Sequence, residues 1–342
     1  MTSSMRQEAG QCPQLVADAL AQDHGLYAEA GATLRARRPV FAATVARGSS
    51  DHAASYAASL FAMQASLITA SLSPSLITRY AARPDLSQAL VLAISQSGAS
   101  PDLIQVMQAA GECGALRIAI INAEGSRLAG GLDYVLPQRA GVEHSVAATK
   151  SFVMTMLAIA RLTAIWTQDA ALTVALAQLP ERLAAALACN WSAGIDIMAK
   201  AEHGAYVIGR GPGLAVAQEA ALKLKETSNL HAEAVSAAEI QHGPRAVADS
   251  SFPVLVFGLD DPGGRDSAAV ARDLASQDVP ILLAAHRNTG NGIHLPLPPP
   301  LHKLLDPIVA VLAFYGFAEQ VAQRRGLDPD HPRGLKKVTQ TV

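Results

Sequence analysis

One plan is written twice along this 342-residue chain. Thr44-Val45-Ala46-Arg47-Gly48 in the first half is echoed by Tyr206-Val207-Ile208-Gly209-Arg210-Gly211 in the second, and Val91-Leu92-Ala93-Ile94-Ser95 by Val254-Leu255-Val256-Phe257-Gly258. Both pairs stand at the same offset of roughly 160 residues, the signature of a duplicated domain and not of chance similarity. Each copy must therefore bury a core of its own.

The repeated segments read as buried strands running into helices. Val40–Ala46 ends in Arg47-Gly48-Ser49-Ser50 and feeds the alanine-rich stretch Asp51–Met63. Leu90–Ser95 ends in Gln96-Ser97-Gly98-Ala99-Ser100 and feeds a helical stretch from Pro101, and Leu116–Asn122 is a further strand. Unbroken apolar runs alternating with helix signals predict parallel sheets covered on both faces. The expected fold class is α/β, with two tandem domains, each a flavodoxin-like three-layer αβα unit. Residues 1–28 read as an N-terminal helical segment, 29–170 as the first domain, 171–195 as a helical connection, 196–326 as the second domain and 327–342 as a C-terminal tail.

Composition narrows the function classes. Half of the residues are hydrophobic and 16% are charged, which suits a packed α/β protein and excludes a disordered one. The net charge is −2 and the densest basic cluster is only Arg35, Arg37 and Arg38, so no nucleic-acid footprint is present. Cys12, Cys113 and Cys189 lack zinc spacing and a disulfide framework, and are expected to be reduced, buried thiols. Met1–Ala21 has no uninterrupted apolar core, and Met154–Trp166 contains Arg161 and falls short of a membrane span. A soluble, cytoplasmic protein without a membrane partner is the expectation.

The copies differ where strands end. The first keeps serines; the second has Gly258-Leu259-Asp260-Asp261-Pro262-Gly263-Gly264, and a carboxylate-bearing loop is a poor place for a phosphate. In the first, Ser100 is a good N-cap and Pro101 fits the first helical position. The Ser95-Gln96-Ser97-Gly98 loop would offer hydroxyls, unpaired N–H groups and the positive end of a helix. Gly48-Ser49-Ser50 supplies a second such cluster, and strand carboxyl ends form the ligand crevice of parallel sheets. One serine-rich turn is ordinary; two in the same half shift the balance towards an anion.

After Gly213, Glu219, Lys223 and Glu226 recur at i, i+4 and i+7 on one stripe of a helix, with His231, Glu233, Glu239 and His242 following. On spacing alone a solvated ion-pair face and a catalytic set are equally good readings. His242-Gly243-Pro244 has the form of a turn that presents an imidazole. Lys336 and Lys337, in the basic tail, read from composition as a frayed terminus.

Taken together, these segments resemble the isomerase part of glucosamine-6-phosphate synthase, in the sugar isomerase (SIS) family. The resemblance is carried in order by Met5–Pro13, Arg47-Gly48-Ser49-Ser50, Ser95-Gln96-Ser97-Gly98, Val146-Ala147-Ala148-Thr149-Lys150-Ser151-Phe152, Ala221-Leu222-Lys223-Leu224-Lys225-Glu226, His231-Ala232-Glu233-Ala234, Glu239-Ile240-Gln241-His242-Gly243-Pro244 and Pro332–Lys337. It implies that Ser49, Ser50, Ser95, Gln96, Ser97 and Ser100 hold a phosphate. Gly48, Val146, Ala147, Glu219, Lys223 and Lys336 would complete the substrate-binding set. Glu226 would move protons between carbons 1 and 2, Lys337 would engage the open-chain carbonyl, and His242, from the neighbouring subunit of a homodimer, would assist ring opening. No metal or other cofactor is implied. Ala148 stands where the family carries a serine near the sugar, and the tail Lys337-Val338-Thr339-Gln340-Thr341-Val342 is closer to stand-alone deaminases. The chain starts at the isomerase region and its first cysteine is Cys12, so no glutaminase part is expected. The expected activity on a hexosamine or hexose 6-phosphate is conversion of glucosamine 6-phosphate to fructose 6-phosphate and ammonia. The alternatives are a related ketose/aldose isomerase, a galactosamine-phosphate deaminase, a fructosamine-phosphate deglycase, a synthase component using ammonia from a partner and, from another class, a non-catalytic sugar-phosphate sensor.

Overall fold

The computed structural model describes residues 3–337, so Val338–Val342 of the expected tail lie outside it. Along the chain run α1 (Ser4–Gly10), α2 (Cys12–Leu20), α3 (His24–Arg37), β1 (Phe41–Val45), α4 (Ser49–Ala65), β2 (Thr69–Ser71), α5 (Pro74–Thr78), β3 (Ala89–Ser95), α6 (Pro101–Glu112), β4 (Leu116–Ile121) and β5 (Tyr134–Pro137). There follow α7 (Lys150–Thr167), α8 (Ala170–Leu187), α9 (Ile195–Ala199), β6 (Ala205–Gly209), α10 (Pro212–Ser228), β7 (Ala232–Ser236), β8 (Val254–Gly258), α11 (Pro262–Ala275), β9 (Ile281–Ala285), β10 (Ile293–Pro296) and α12 (Asp306–Arg324).

Two units form. One consists of Leu15–Val142 and Met154–Ala177; the other holds the residues up to Gln14, Glu143–Val153 and Gln178–Lys337. The first contains a five-stranded parallel sheet in the order β2-β1-β3-β4-β5. All seven residues of β3 are buried, which is why its sequence is apolar without alternation. Its core is filled by Val45, Val91, Ala93 and Ile121 from the strands and Leu103, Val106 and Met107 from α6.

The other unit contains β7-β6-β8-β9-β10, also parallel, with a core of Ile208, Val254, Val256, Ile281 and Leu283 under Leu274 of α11. Counted within each sheet, both follow the order second-first-third-fourth-fifth. That order reverses direction between the first and third strands, and the crevice at their carboxyl ends is where such sheets take ligands. The entry into the first helix is also the same. Gly48 (φ 54°, ψ −133°) precedes α4 and Gly211 (φ 57°, ψ −135°) precedes α10, a conformation that only glycine adopts without strain.

One expectation needs correction. Only Cys12 is a buried thiol; Cys113, capping the end of α6, and Cys189, just past α8, are half-exposed. Among the described helices α8, and not the Met154–Trp166 stretch, has the length and apolarity of a membrane span. It carries Pro180, and its Arg182 donates to the Pro299 carbonyl within the same unit.

Candidate functional site

Two groups of candidate residues are built, one in each unit. In the first, Ser49 and Ser50 open α4 beyond β1, while Ser95, Gln96, Ser97 and Ser100 lie between β3 and α6. The register sets Val45 beside Ala93, so both connections leave the sheet at its switch point. Ser95 is buried and its hydroxyl accepts from Gly98 N at 3.0 Å, which shapes the turn; Ser97 Oγ accepts from Ala99 N at 3.3 Å. Ser100 occupies the N-cap of α6 with Pro101 behind it, but its hydroxyl makes no capping bond to the helix. Inside the first turn of α6 the buried Asp102 takes over, its Oδ1 accepting from Leu103 N at 2.9 Å.

Sequence reasoning missed Arg47 and Asp102 as a pair. The Arg47 guanidinium, half-exposed on the β1–α4 connection, lies 2.9 Å from the buried Asp102 carboxylate in the first turn of α6. This bridge ties the two serine-bearing connections together. Arg47 was visible in the motif; its partner, 55 residues on, was not.

In the other unit, the Glu219–Lys223–Glu226 stripe is not a solvated face. The Lys223 and Glu219 side chains have 0% exposure, and Lys223 Nζ lies 3.3 Å from Glu219 Oε1 and bonds Glu226 Oε2. Burial alone would push the Lys223 amine down, but the two carboxylates reverse that and raise it. Glu226 alone of the three reaches solvent, at 20% exposure. One buried ammonium thus orients a carboxylate that is open to proton exchange, while Glu219 balances the charge behind it.

His242 is exposed at the end of a 3₁₀ turn, Glu239–His242. The turn is pinned by Arg245, 2.7 Å from Asp273 and 2.5 Å from Gln241 Oε1, and by the Tyr206 hydroxyl donating to the Pro244 carbonyl at 2.9 Å. His231, Glu233 and Glu239 are exposed.

The tail is not frayed at Lys337. Its Nζ donates to Glu143 Oε2 and to the Ser145 carbonyl, both at 2.7 Å, whereas Lys336 is exposed. Burial would raise the Glu143 carboxyl, but the Lys337 charge and hydrogen bond, with the N–H groups of Ser151 and Thr149, hold it below the usual carboxylate range. Ala147, in the same loop, is buried, while Val146 and Ala148 are half-buried. Tyr315 of α12 is wholly buried, and burial followed by the nearby Glu219, Cys12, Glu143 and Glu226 pushes its phenol well above its ordinary value. Glu8, Glu143 and Tyr315 were not singled out from sequence; a glutamate directly before the His144-Ser145-Val146 segment was the one available signal for Glu143. Among the described residues no cluster of three or more His, Cys, Asp or Glu is placed to hold a metal ion.

The SIS domain signature matches residues 42–165 and 197–290. The chain is similar to the isomerizing glutamine–fructose-6-phosphate aminotransferase of Pyrobaculum aerophilum, with 35% identity over 276 residues, covering 77% of this chain and 46% of that protein. It is similar to the same-named protein of Thermotoga maritima at 34% over 272 residues, covering 75% and 44%. The chain thus spans about half the length of the curated relatives it matches. Among solved structures, a protein of Silicibacter pomeroyi DSS-3 provisionally named a phosphosugar isomerase matches with a TM-score of 0.90 at 40% identity, over 96% of this chain and 100% of that one. The C-terminal domain of glucosamine-fructose-6-phosphate aminotransferase from Francisella tularensis shares the fold, with a TM-score of 0.85 at 23% identity over 97% and 99% of the two chains.

Proposed function

This chain belongs to the SIS domain family, and from that premise we propose that it is an amino-sugar-phosphate deaminase/isomerase converting glucosamine 6-phosphate and water to fructose 6-phosphate and ammonia. The reaction needs ring opening, transfer of a proton from carbon 2 to carbon 1, and hydrolysis of the resulting imine. In this reading residues 29–170 are the phosphate-binding domain, with the anion on Gly48, Ser49, Ser50, Ser95, Gln96, Ser97 and Ser100. Glu226 carries the proton, oriented by Lys223 and backed by Glu219. Lys337 engages the open-chain carbonyl, with Lys336, Val146 and Ala147 beside the sugar. His242 opens the ring in the neighbouring subunit of a cytoplasmic homodimer, a role its exposed, pinned turn suits; sedimentation as a monomer at assay concentration would remove that part.

The observation that carries an enzyme over a non-catalytic sensor is the buried Lys223 between two carboxylates, only one of which reaches solvent. A binding pocket has no need of a desolvated charge triad, whereas proton transfer does. The 40% identity to a protein provisionally named a phosphosugar isomerase supports a second reading, in which the reaction stops after proton transfer on a sugar without an amine. An assay of ammonia release and ketose formation over glucosamine, galactosamine, glucose and tagatose 6-phosphates tests both. Ammonia and ketose from a hexosamine phosphate are expected; ketose–aldose interconversion alone supports the second reading. Binding of a sugar phosphate without any turnover leaves the sensor.

A further inference from the structure

The loop from Glu143 to Ser151 is held by two buried carboxylates. Glu8 of α1 accepts from the N–H of His144 and, at 3.2 Å, from that of Ser145. Glu143, with no exposed side-chain surface, divides its two oxygens. Its Oε1 accepts from Thr149 N and Ser151 N, each at 3.0 Å, and more distantly from Thr149 Oγ1 at 3.4 Å. Its Oε2 accepts from Ser151 Oγ and from Lys337 Nζ, each at 2.7 Å. Oε1 therefore serves the loop alone, while Oε2 serves both Ser151 of the loop and the tail. A desolvated carboxylate is tolerable only when paired and hydrogen-bonded, and Lys337 is the cation on it.

We propose that Glu143 is the positioning residue of Lys337. It fixes the ammonium against the 145–148 loop and leaves the chemistry to the lysine; this rests on the reading of Lys337 given under Proposed function. An ammonium has three donors. Glu143 and the Ser145 carbonyl take two, and the third N–H has no partner among the described residues. That geometry presents one aimed donor on a side chain that, near a chain end, would otherwise sample many rotamers.

The division of the two oxygens makes the test selective. In Glu143→Gln the amide oxygen can replace Oε1 towards Thr149 N and Ser151 N, and the amide nitrogen can donate to Ser151 Oγ. Only the bond from Lys337 is lost, because two donors then face each other. Acetylation of the ligand-free protein with an N-hydroxysuccinimide ester, read by peptide mass spectrometry, should show Lys337 reacting at least about tenfold faster in Glu143→Gln, the worth of one hydrogen bond to a charged group. The exposed neighbour Lys336 serves as the internal reference. With the best sugar phosphate of the panel, kcat should fall about 10²-fold, the effect of a misplaced group, with KM little changed. The double variant Glu143→Gln/Lys337→Met should be no slower than Lys337→Met alone. An unchanged Lys337-to-Lys336 labelling ratio, or normal turnover in Glu143→Gln, overturns the proposal. So does a Glu143→Gln chain that fails to fold by circular dichroism, which would make Glu143 a structural group. Faster labelling in a protein whose wild type turns over no sugar phosphate would retain the positioning and remove the proposed function instead.

Discussion

The two sheets share an architecture and differ in what their helices do with it. α4 and α10 are both 17 residues long, both start after a glycine of the same conformation, and both end on a left-handed residue, Ser66 and Asn229. Counted from Gly48 and Gly211, Tyr56 corresponds to Glu219, Leu60 to Lys223 and Met63 to Glu226. Tyr56 and Leu60 are fully buried and Met63 is 47% exposed, so the burial gradient along the stripe is the same in both helices. One helix fills these positions with uncharged side chains. The other fills them with three charges, although a buried ion triad is commonly no more stable than a well-packed apolar replacement. Stability therefore gives no reason for the charges; the proton transfer proposed above would supply one.

The third helix-forming step of each sheet shows the opposite asymmetry. α6 follows β3 with three serines and no side-chain cap. α11 follows β8 with Asp261, whose carboxylate accepts from Gly264 N at 2.6 Å. In the second sheet a carboxylate of the protein fills the N-cap itself; in the first the N-cap Ser100 makes no capping bond, and the first-turn Asp102 accepts from Leu103 N while paired with Arg47.

The largest effect should come from the charged stripe. Glu226→Gln keeps the shape and one hydrogen-bonding oxygen, and α10 remains packed through Val216, Ala217, Ala220 and Leu224. Turnover should fall by roughly 10²–10⁴, the range for one general acid–base group, with sugar-phosphate affinity retained. Near-normal turnover in the purified variant would return α10 to the purely structural status of α4.

Much of this comparison is legible in the sequence, and the part that is not has a physical cause. β1, β3 and β4 announce themselves because both faces are buried and their apolar runs do not alternate. The i, i+4, i+7 spacing of Glu219, Lys223 and Glu226 reads identically for an exposed ion-pair face and a buried triad, so spacing alone leaves both readings open. The uncharged Tyr56 and Leu60 at the matching positions of the repeat are the sequence signal that breaks the tie. Lys337 is different: by composition its tail reads as frayed. Its partner Glu143 is 194 positions away and its other acceptor is a backbone carbonyl, which carries no residue identity. Glu8 is harder still, since its carboxylate accepts from the main-chain N–H groups of His144 and Ser145, which carry no residue identity.

A smaller effect is expected in the β3–α6 connection. Ser97 is half-buried in the connection before α6, and its hydroxyl would be one of several neutral donors to the phosphate. A hydrogen bond to a charged group is worth roughly 1.5–3 kcal/mol. Ser97→Ala should weaken the dissociation constant for glucosamine 6-phosphate by about tenfold or more and leave the melting temperature nearly unchanged. Unaltered affinity in a calorimetric titration would move the anion away from this connection and dissolve the contrast between α6 and α11.

The smallest effect belongs to the N-cap of α11 and should have the reverse signature. Asp261 is buried and caps α11, so Asp261→Ala removes a helix cap, with a cost of about 0.5–2 kcal/mol. Thermal unfolding should shift down by about 2–4 °C per kcal/mol for a unit of this size, while affinity for the sugar phosphate stays that of the wild type. The two alanine variants then form a crossed pair, one losing affinity without stability and the other stability without affinity. Calorimetric titration and thermal melts of both proteins read all four quantities. An Asp261→Ala chain with wild-type melting but weakened sugar-phosphate binding would show that the second crevice, and not only the first, takes part in holding the ligand.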